Sequence, residues 1–252
     1  MNSEQNPKTI LREQAASSGI GLHATQADRL LDLGERILAR NREVNLTGAR
    51  DLPALIRDHI LDSLTLLPII WRYAAAPCTR HPLIVDIGSG GGFPALPLAI
   101  VLVDFDFLCI ESVAKKARVL ENLCGAIGLD HVTILNDRAE RVAHDSRWRE
   151  TADGATARGI GSLATACELT LPFLRVGGRF LAQKGAEVHT DLAAAQSAIM
   201  QLGGRVVEII SVGPERPQGK RTVAIIEKIA SSPQQFPRRV GLPAKRPLRD
   251  RG

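Results

Sequence analysis

The sequence predicts an α/β fold in which a mostly parallel, seven-stranded sheet follows a helical N-terminal extension. Three observations support this: a helical apolar pattern up to Ala76, short apolar runs alternating with helical segments from Leu83 onward, and two final strands separated only by a loop. Strands that alternate with helices form parallel sheets covered on both faces. Because no helix separates the last two strands, we expect them to form an antiparallel hairpin at one edge.

Each element is predicted from its apolar spacing and its turn residues. Helices are expected at 25–44, with Thr25 as N-cap, and at 56–71, where Pro68 bends the helix or starts a new turn. The strands are expected at 83–87, 106–111, 132–135, 155–158, 179–183, 205–212 and 222–229. The connecting helices are expected at 94–103, 113–128 (capped by Ser112), 162–174 and 192–202. We divide the chain into a helical extension (1–76), a sheet domain (77–232) and a tail (233–252).

Composition excludes several classes of protein. The 252 residues are 44% hydrophobic and 23% charged, which suits a globular core without disulfides or metals. The longest apolar run, 94–103, is far below the roughly 20 residues of a membrane span, and the start MNSEQNPKTILREQ is unlike a signal peptide. The four cysteines show no C-x-x-C pair and no zinc spacing. We therefore expect a cytoplasmic protein with reduced cysteines and no metal or membrane association.

The net charge of +5 is located in the tail. Residues 233–252 contain six Lys or Arg, one Asp and four prolines, whereas the other 232 residues contain 26 basic and 26 acidic residues. A segment of this composition is not expected to bury itself in a core. It is typical of an arm that contacts a polyanion such as nucleic acid, and the alternative is a solvated tail that aids solubility.

The segment after the first strand, Asp86–Pro94, carries the most specific motif. Its spacing D-x-G-x-G-x-G (Asp86, Gly88, Gly90 and Gly92) predicts a loop whose backbone approaches a ligand closely. A phosphate-binding P-loop is excluded because no Gly-Lys-Ser/Thr follows. A dinucleotide site stays open, since 90–95 formally fits G-x-G-x-x-A, but a carboxylate beside pyrophosphate is unfavourable.

A second acid favours S-adenosylmethionine as the ligand. Glu111 stands 25 residues beyond Asp86, at the end of the next strand, where a carboxylate can accept both hydroxyls of a ribose. The cationic sulfur and the ammonium group of S-adenosylmethionine are also compatible with Asp86. Together the two acids and the glycines favour this methyl donor over a dinucleotide.

Motifs along nearly the whole chain resemble those of the bacterial RsmG (GidB) family. Asn45–Thr47 with Arg50-Asp51 resembles N-L-T-x-x-R-D, and His59–Ser63 resembles H-x-L-D-S. Further similar segments are Asp86–Pro94 (D-I-G-S-G-x-G-F-P), Arg138–Glu140 (R-x-E), Arg158 (from S-R-A), Lys184-Gly185 (K-G), Phe236–Arg238 and Gly241–Pro243 (Y-P-R…G-x-P). The sequence departs from the family pattern at Ala95, where Gly is usual, and at Thr156–Gly159, which replaces I-S-R-A.

The resemblance implies a Rossmann-like class I methyltransferase that methylates N7 of a guanine in 16S rRNA, near the decoding site. It implies S-adenosylmethionine as cofactor and the small ribosomal subunit as partner, and we expect a monomer. The cofactor-binding residues implied are Asp86, Gly88, Gly90, Phe93, Glu111, Ala139, Glu140 and Arg158. Arg158 and Lys184 are implied to position the substrate. No residue is assigned as a general base, because guanine N7 has a free lone pair and loses no proton.

Several of these residues have a structural alternative. Phe93 could pack in the core, Glu140 could be a solvated residue at a helix start, Arg158 could form a structural ion pair, and Lys184 could be an ordinary surface lysine. Asp58, His59 and Asp62 form a cluster for which docking of the helical extension is preferred to catalysis. The alternative function is a nucleotide- or NAD(P)-binding protein, or a methyltransferase with another substrate.

Overall fold

The computed structural model describes residues 7–74, 81–185, 187–213 and 221–249. Seven strands form one sheet: β1 (Leu83–Ile87), β2 (Asp106–Ile110), β3 (Val132–Leu135), β4 (Ala152–Ala157), β5 (Leu174–Lys184), β6 (Gly204–Val212) and β7 (Arg221–Lys228). Their order is β3-β2-β1-β4-β5-β7-β6. β1 to β5 pair in parallel, and β7 is antiparallel to both β5 and β6. The predicted α/β class and antiparallel edge hairpin are confirmed, with β6 as the outermost strand.

Helices surround the sheet and build the N-terminal extension. They are α1 (Pro7–Ala16), α2 (Ala24–Asn41), α3 (Leu52–Leu55), a π-helical turn (Ile56–Ile60), α4 (Leu61–Leu64), α5 (Leu67–Ala74), α6 (Ala95–Val101), α7 (Ala114–Ile127), α8 (Ala139–Val142), α9 (Leu163–Thr170), a 3₁₀ turn (Leu171–Phe173), α10 (Val188–Gln201) and α11 (Leu242–Lys245). The sequence patterns did not predict α1. The single helix expected at 56–71 is interrupted, and Pro68 lies in the first turn of the new helix α5.

Two predicted helix caps are wrong. His23, not Thr25, is the N-cap of α2, and its backbone N–H donates to Gln26 Oε1 at 2.9 Å. Val113, not Ser112, precedes α7, because its N–H donates to Glu111 Oε1 at 2.7 Å and keeps the chain extended for one more residue. In both cases a side-chain contact, and not the preference of Ser or Thr for the cap position, sets the start of the helix.

The core lies in two layers, one on each face of the sheet. Alternating strand residues divide between them, so that Ile84 packs with the N-terminal helices, α6 and α7, whereas Val85 and Ile87 pack with α9 and α10. The N-terminal helices therefore share a continuous apolar layer with the sheet. The division at residues 76 and 232 stays a sequence-based prediction, and its first boundary falls outside the described residues.

The prediction that the tail does not enter a core is wrong. Phe236 is buried in the layer that contains α9 and α10. Arg238 donates from Nε and Nη2 to the two oxygens of Glu168, whose side chain is fully buried. A count of charges cannot show that one of the six cations has a buried carboxylate partner 70 residues away. Arg239, Lys245, Arg246 and Arg249 stay exposed, and 250–252 lie outside the described part.

Three further findings concern the described residues. Cys109, Cys124 and Cys167 are free and buried, as predicted for structural thiols, and Cys78 lies outside the described residues. No helix within the described ranges is both long and apolar enough to cross a membrane. Among the same residues, no group of three or more His, Cys, Asp or Glu is arranged to hold a metal ion.

Candidate active site

The glycine loop follows β1 at the carboxyl edge of the sheet. Gly88 and Gly90 have φ of 68° and 55°, in the left-handed region that favours glycine. The N–H of Gly88 donates to Ile110 O of β2 at 2.8 Å, which fixes the loop between the first two strands. A Cβ on Gly88 would lie 3.1 Å from Ile160 Cδ1. The backbone thus forms a close-fitting cradle, as the motif predicts.

Asp86 lies beneath this cradle, and one of its two carboxylate oxygens has no hydrogen-bond partner among the described residues. Its side chain is fully buried, and Oδ1 accepts from the Thr156 hydroxyl at 2.7 Å. Oδ2 is also buried and has no partner among the described residues. Burial raises the pKa of this carboxyl to about 6, in spite of the hydrogen bond from Thr156. A buried carboxylate oxygen without a partner fits a cationic ligand group.

Glu111 connects the end of β2 to the glycine loop. It is 5% exposed, and its Oε2 accepts from Gly90 N–H at 2.8 Å while Oε1 accepts from Val113 N–H. Each carboxylate oxygen retains a further lone pair, so ligand hydroxyls can still bind there. The carboxylate therefore shapes the cradle and also suits the ribose contact predicted for it.

Ala139 and Glu140 begin α8, which follows β3 after a three-residue connection at the same edge of the sheet. Both are buried. The carboxylate of Glu140 accepts from Gly241 N–H of the tail at 2.8 Å and pairs with Arg138. Glu140 thus holds the tail against this end of the site. Because its side chain is engaged in this way, Ala139 and Glu140 would contact an adenine ring through their backbone groups. Sequence reasoning missed this tail contact.

Phe93 and Arg158 meet on the other side of the loop. The Arg158 Cζ lies 5.4 Å from the centre of the Phe93 ring, and the ring of His59 stacks on Phe93 at 4.9 Å. Arg158 Nη2 donates to His59 Nδ1 at 2.7 Å. Because arginine only donates, the His59 proton belongs on Nε2, which lies 2.7 Å from Thr47 Oγ1. Burial and the charge of Arg158 lower the pKa of His59 to about 4.

Asp62, on α4 of the N-terminal helices, binds Arg158 and so connects these helices to the site. Its carboxylate is fully buried and lies 3.2 Å from Arg158 Nη1 and 3.0 Å from Arg221 Nε. Its carbonyl oxygen accepts from Gln183 Nε2 at 2.9 Å. These contacts support the docking role preferred for the cluster. Arg221 was not predicted, because nothing in its local sequence at the start of β7 marks a partner 159 residues away.

A cleft of about 400 Å³ lies beside Arg158 at the ends of β4 and β5. Lys184 lines it and forms an ion pair with Asp191 at 3.0 Å, with its side chain 18% exposed. Asp58 also lines the cleft and bonds Arg57. The structure therefore places Arg158 and Lys184 on one rim, as predicted, and gives each an intramolecular partner.

Fold and site together define a class of protein. A Rossmann-like sheet with β7 reversed next to β6, a glycine cradle after β1, and buried acids at the ends of β1 and β2 are the features of S-adenosylmethionine-dependent methyltransferases. The oxygen of Asp86 that has no partner among the described residues fits this cofactor.

Comparison with known proteins identifies the family. The family model described as rRNA small subunit methyltransferase G matches residues 26–219, so the chain belongs to this family. It is 39% identical over 235 residues to ribosomal RNA small subunit methyltransferase G of Roseiflexus castenholzii, covering 93% of this chain and 97% of the relative. It is also 39% identical over 245 residues to the protein of that name from Chloroflexus aggregans, covering 96% and 99%.

Among solved structures, the fold is similar to that of a putative O-methyltransferase from Klebsiella pneumoniae. The TM-score is 0.53 at 14% identity, over 88% of this chain and all of the other. This likeness supports the fold only. Membership of the family decides against the dinucleotide-binding alternative.

Proposed function

We propose that the protein transfers the methyl group of S-adenosylmethionine to N7 of a guanine in 16S rRNA. The relatives carry names of ribosomal RNA small subunit methyltransferases, which supports the substrate class. We further propose that it acts in the cytoplasm, as a monomer, on the RNA of the small ribosomal subunit. The target base implied by the family motifs is the guanine near the decoding site.

The observation that carries this proposal is the state of the ionisable groups lining the cleft. Both ring nitrogens of His59 are engaged, by Arg158 and by Thr47. Lys184 pairs with Asp191, Asp58 with Arg57, and Arg221 with Asp62. Every acid or base among the lining residues therefore has a side-chain partner. Guanine N7 suits such a cleft, because it attacks through a lone pair and loses no proton.

Catalysis is then a matter of alignment. When bound, S-adenosylmethionine supplies an electrophilic methyl group on a cationic sulfur. The residues that would hold it are Asp86, Glu111 and the backbone of Gly88 and Gly90. Arg158, held over Phe93, would orient the guanine so that N7 faces the methyl group and water is excluded.

The direct test is to map N7-methylguanine in 16S rRNA by borohydride and aniline cleavage. RNA from cells with the gene should be cleaved at one guanine that stays uncleaved in cells without it. Re-expression of the wild type should restore the cleavage. An unchanged cleavage pattern after deletion would contradict the proposal, as would preferential binding of NAD(H) over S-adenosylhomocysteine by the purified protein.

A further inference from the structure

Five basic residues form a surface that the site described above does not use. Arg42, Arg50, Lys115, Lys116 and Arg118, here called the basic belt, lie on the loop after α2 and on the first turns of α7. All except Lys116 are exposed, and none forms an ion pair with another described residue. We infer that the basic belt is the surface on which the phosphates of the RNA substrate bind. This inference rests on the proposed function.

Charge is concentrated here although the first 232 residues are neutral overall. Residues 40–50 contain three arginines and one acid, and residues 114–118 contain three cations and no acid. The acid, Glu43, already pairs with Arg40. Exposed cations without carboxylate partners attract a polyanion and release its counterions, which drives association.

The loop that carries Arg42 and Arg50 is held in one conformation. Asn41 Oδ1 accepts from the N–H groups of Leu46 and Thr47 at 2.7 and 3.0 Å, and Asn41 Nδ2 donates to Thr47 O at 2.9 Å. The backbone of this loop is therefore already ordered, so binding would cost only the entropy of the arginine side chains.

The same loop lies against the reaction site. A Cβ on Gly91 of the glycine loop would be 2.6 Å from Leu46 O, so the two loops are in direct contact. Thr47 contacts His59, which in turn contacts Arg158. On the other side, α7 begins three residues after Glu111. An RNA strand bound to the basic belt would thus pass the site where the methyl donor and the guanine meet.

The shape of the surface favours the phosphate backbone as the bound group. A cleft of about 720 Å³ is lined by Arg42 and Arg50 together with Glu35, polar loop residues and apolar residues. A second cleft, of about 310 Å³, is lined by Arg40, Lys115, Arg118 and Asn122 together with Glu43 and apolar residues. None of the residues that line either cleft is aromatic. Bases bind by stacking on aromatic rings, whereas phosphates bind to cations and amides.

The test is the salt dependence of RNA binding by the full-length protein. The variants are Arg42→Ala/Arg50→Ala, Lys115→Ala/Arg118→Ala and the fourfold combination, titrated with transcribed 16S rRNA at several NaCl concentrations. Each double variant should flatten the slope of log K against log[salt] by about 1.5, and the fourfold variant by about 3, since each phosphate contact contributes roughly 0.7–0.9. S-adenosylhomocysteine affinity and melting temperature should equal those of the wild type.

A charge-matched control separates the basic belt from net charge. Arg147→Ala/Arg205→Ala also removes two exposed cations, from the segment before β4 and from the edge strand β6. Its slope should stay that of the wild type. The inference is overturned if the belt variants keep the wild-type slope, or if removing Arg239, Lys245, Arg246 and Arg249 of the tail flattens it instead.

Failure of this inference differs from failure of the proposed function. If the wild type methylates guanine N7 in 16S rRNA while the belt variants keep its salt slope, only the binding surface is wrong. If the wild type leaves every guanine N7 of that RNA unmethylated, the proposed function is wrong, and a flattened slope would still place a polyanion on the basic belt.

Discussion

The two sides of the site are built in different ways. The side that suits the methyl donor comes from one short stretch, 86–93, with Glu111 on the neighbouring strand, and most of its shape is backbone. The side beside the cleft comes from remote segments: His59 and Arg158 are 99 residues apart, and Asp62 and Arg221 are 159 apart. A local motif can therefore specify the first side, whereas only the folded chain brings the second together.

The two sides also differ in electrostatics. Asp86 is buried with one oxygen that has no partner among the described residues, and its pKa is raised. Asp62 is equally buried but is held between two arginines. The first arrangement leaves one acceptor oxygen for a cationic group, and the second neutralises its own charge. The donor side should therefore respond to substitution through ligand affinity, and the acceptor side through turnover.

The largest effect is expected for Gly88→Asp, which should weaken S-adenosylhomocysteine binding at least about 100-fold. The new side chain meets Ile160 and adds a negative charge near Asp86. Gly128→Asp is the control, because Gly128 has nearly the same φ, 72°, with nothing within 4 Å of its Cβ position. Both variants should lose about 1–2 kcal/mol of stability to backbone strain. Calorimetry that finds normal ligand binding in Gly88→Asp would contradict the assignment of the loop.

Next in size is the effect of the tail, whose Arg238 is anchored on α9 by Glu168. Arg238→Ala leaves the fully buried Glu168 carboxylate without its ion-pair partner, and should lower the free energy of unfolding by about 3 kcal/mol. Denaturant titration measures this loss. The double variant Arg238→Ala/Glu168→Ala should recover part of it. Equal stability of Arg238→Ala and the wild type would show that the tail is not anchored by this pair.

Glu111→Ala should weaken S-adenosylhomocysteine binding by about 2 kcal/mol, the scale of hydrogen bonds to a charged group. The substitution removes the predicted ribose contact and also frees Gly90 N–H. Glu121→Ala, at an exposed position on α7, serves as the control and should bind normally. If both variants bind alike, another group holds the ribose.

A smaller effect is expected from pH. Burial raises the pKa of Asp86 from its ordinary 3.8 to about 6, so its contribution to stability is full below pH 3.8 and is lost as pH rises through 6. The ammonium group of S-adenosylhomocysteine prefers the ionised form of Asp86, so the affinity for this ligand should fall as pH drops below about 6, by up to tenfold per pH unit. Asp86→Asn should bind weakly and without this dependence. A flat affinity of the wild type between pH 7.5 and 5 would contradict the contact.

The difference between the two sides explains how much of the site could be predicted from the sequence. Asp86, Gly88, Gly90 and Glu111 fall at the ends of adjacent parallel strands, so spacing alone brings them together. The partners of Arg158 could not be predicted in this way, because His59 and Asp62 meet it only after the N-terminal helices have packed on the sheet. The prediction that the tail stays out of the core was wrong for the same reason. Its composition is that of a solvated arm, but Phe236 and Arg238 fit sites formed by distant residues.

The variant Arg158→Lys tests whether the donor side controls ligand affinity and the acceptor side controls turnover. S-adenosylhomocysteine affinity and the kcat for methylation of 16S rRNA are measured on the same preparation. Lysine keeps the charge but cannot bond Asp62 and His59 together as the guanidinium does. We expect donor affinity within about twofold of the wild type and kcat lowered at least about 100-fold, the scale of lost alignment. Loss of donor affinity in parallel with kcat would place Arg158 on the donor side and contradict the separation.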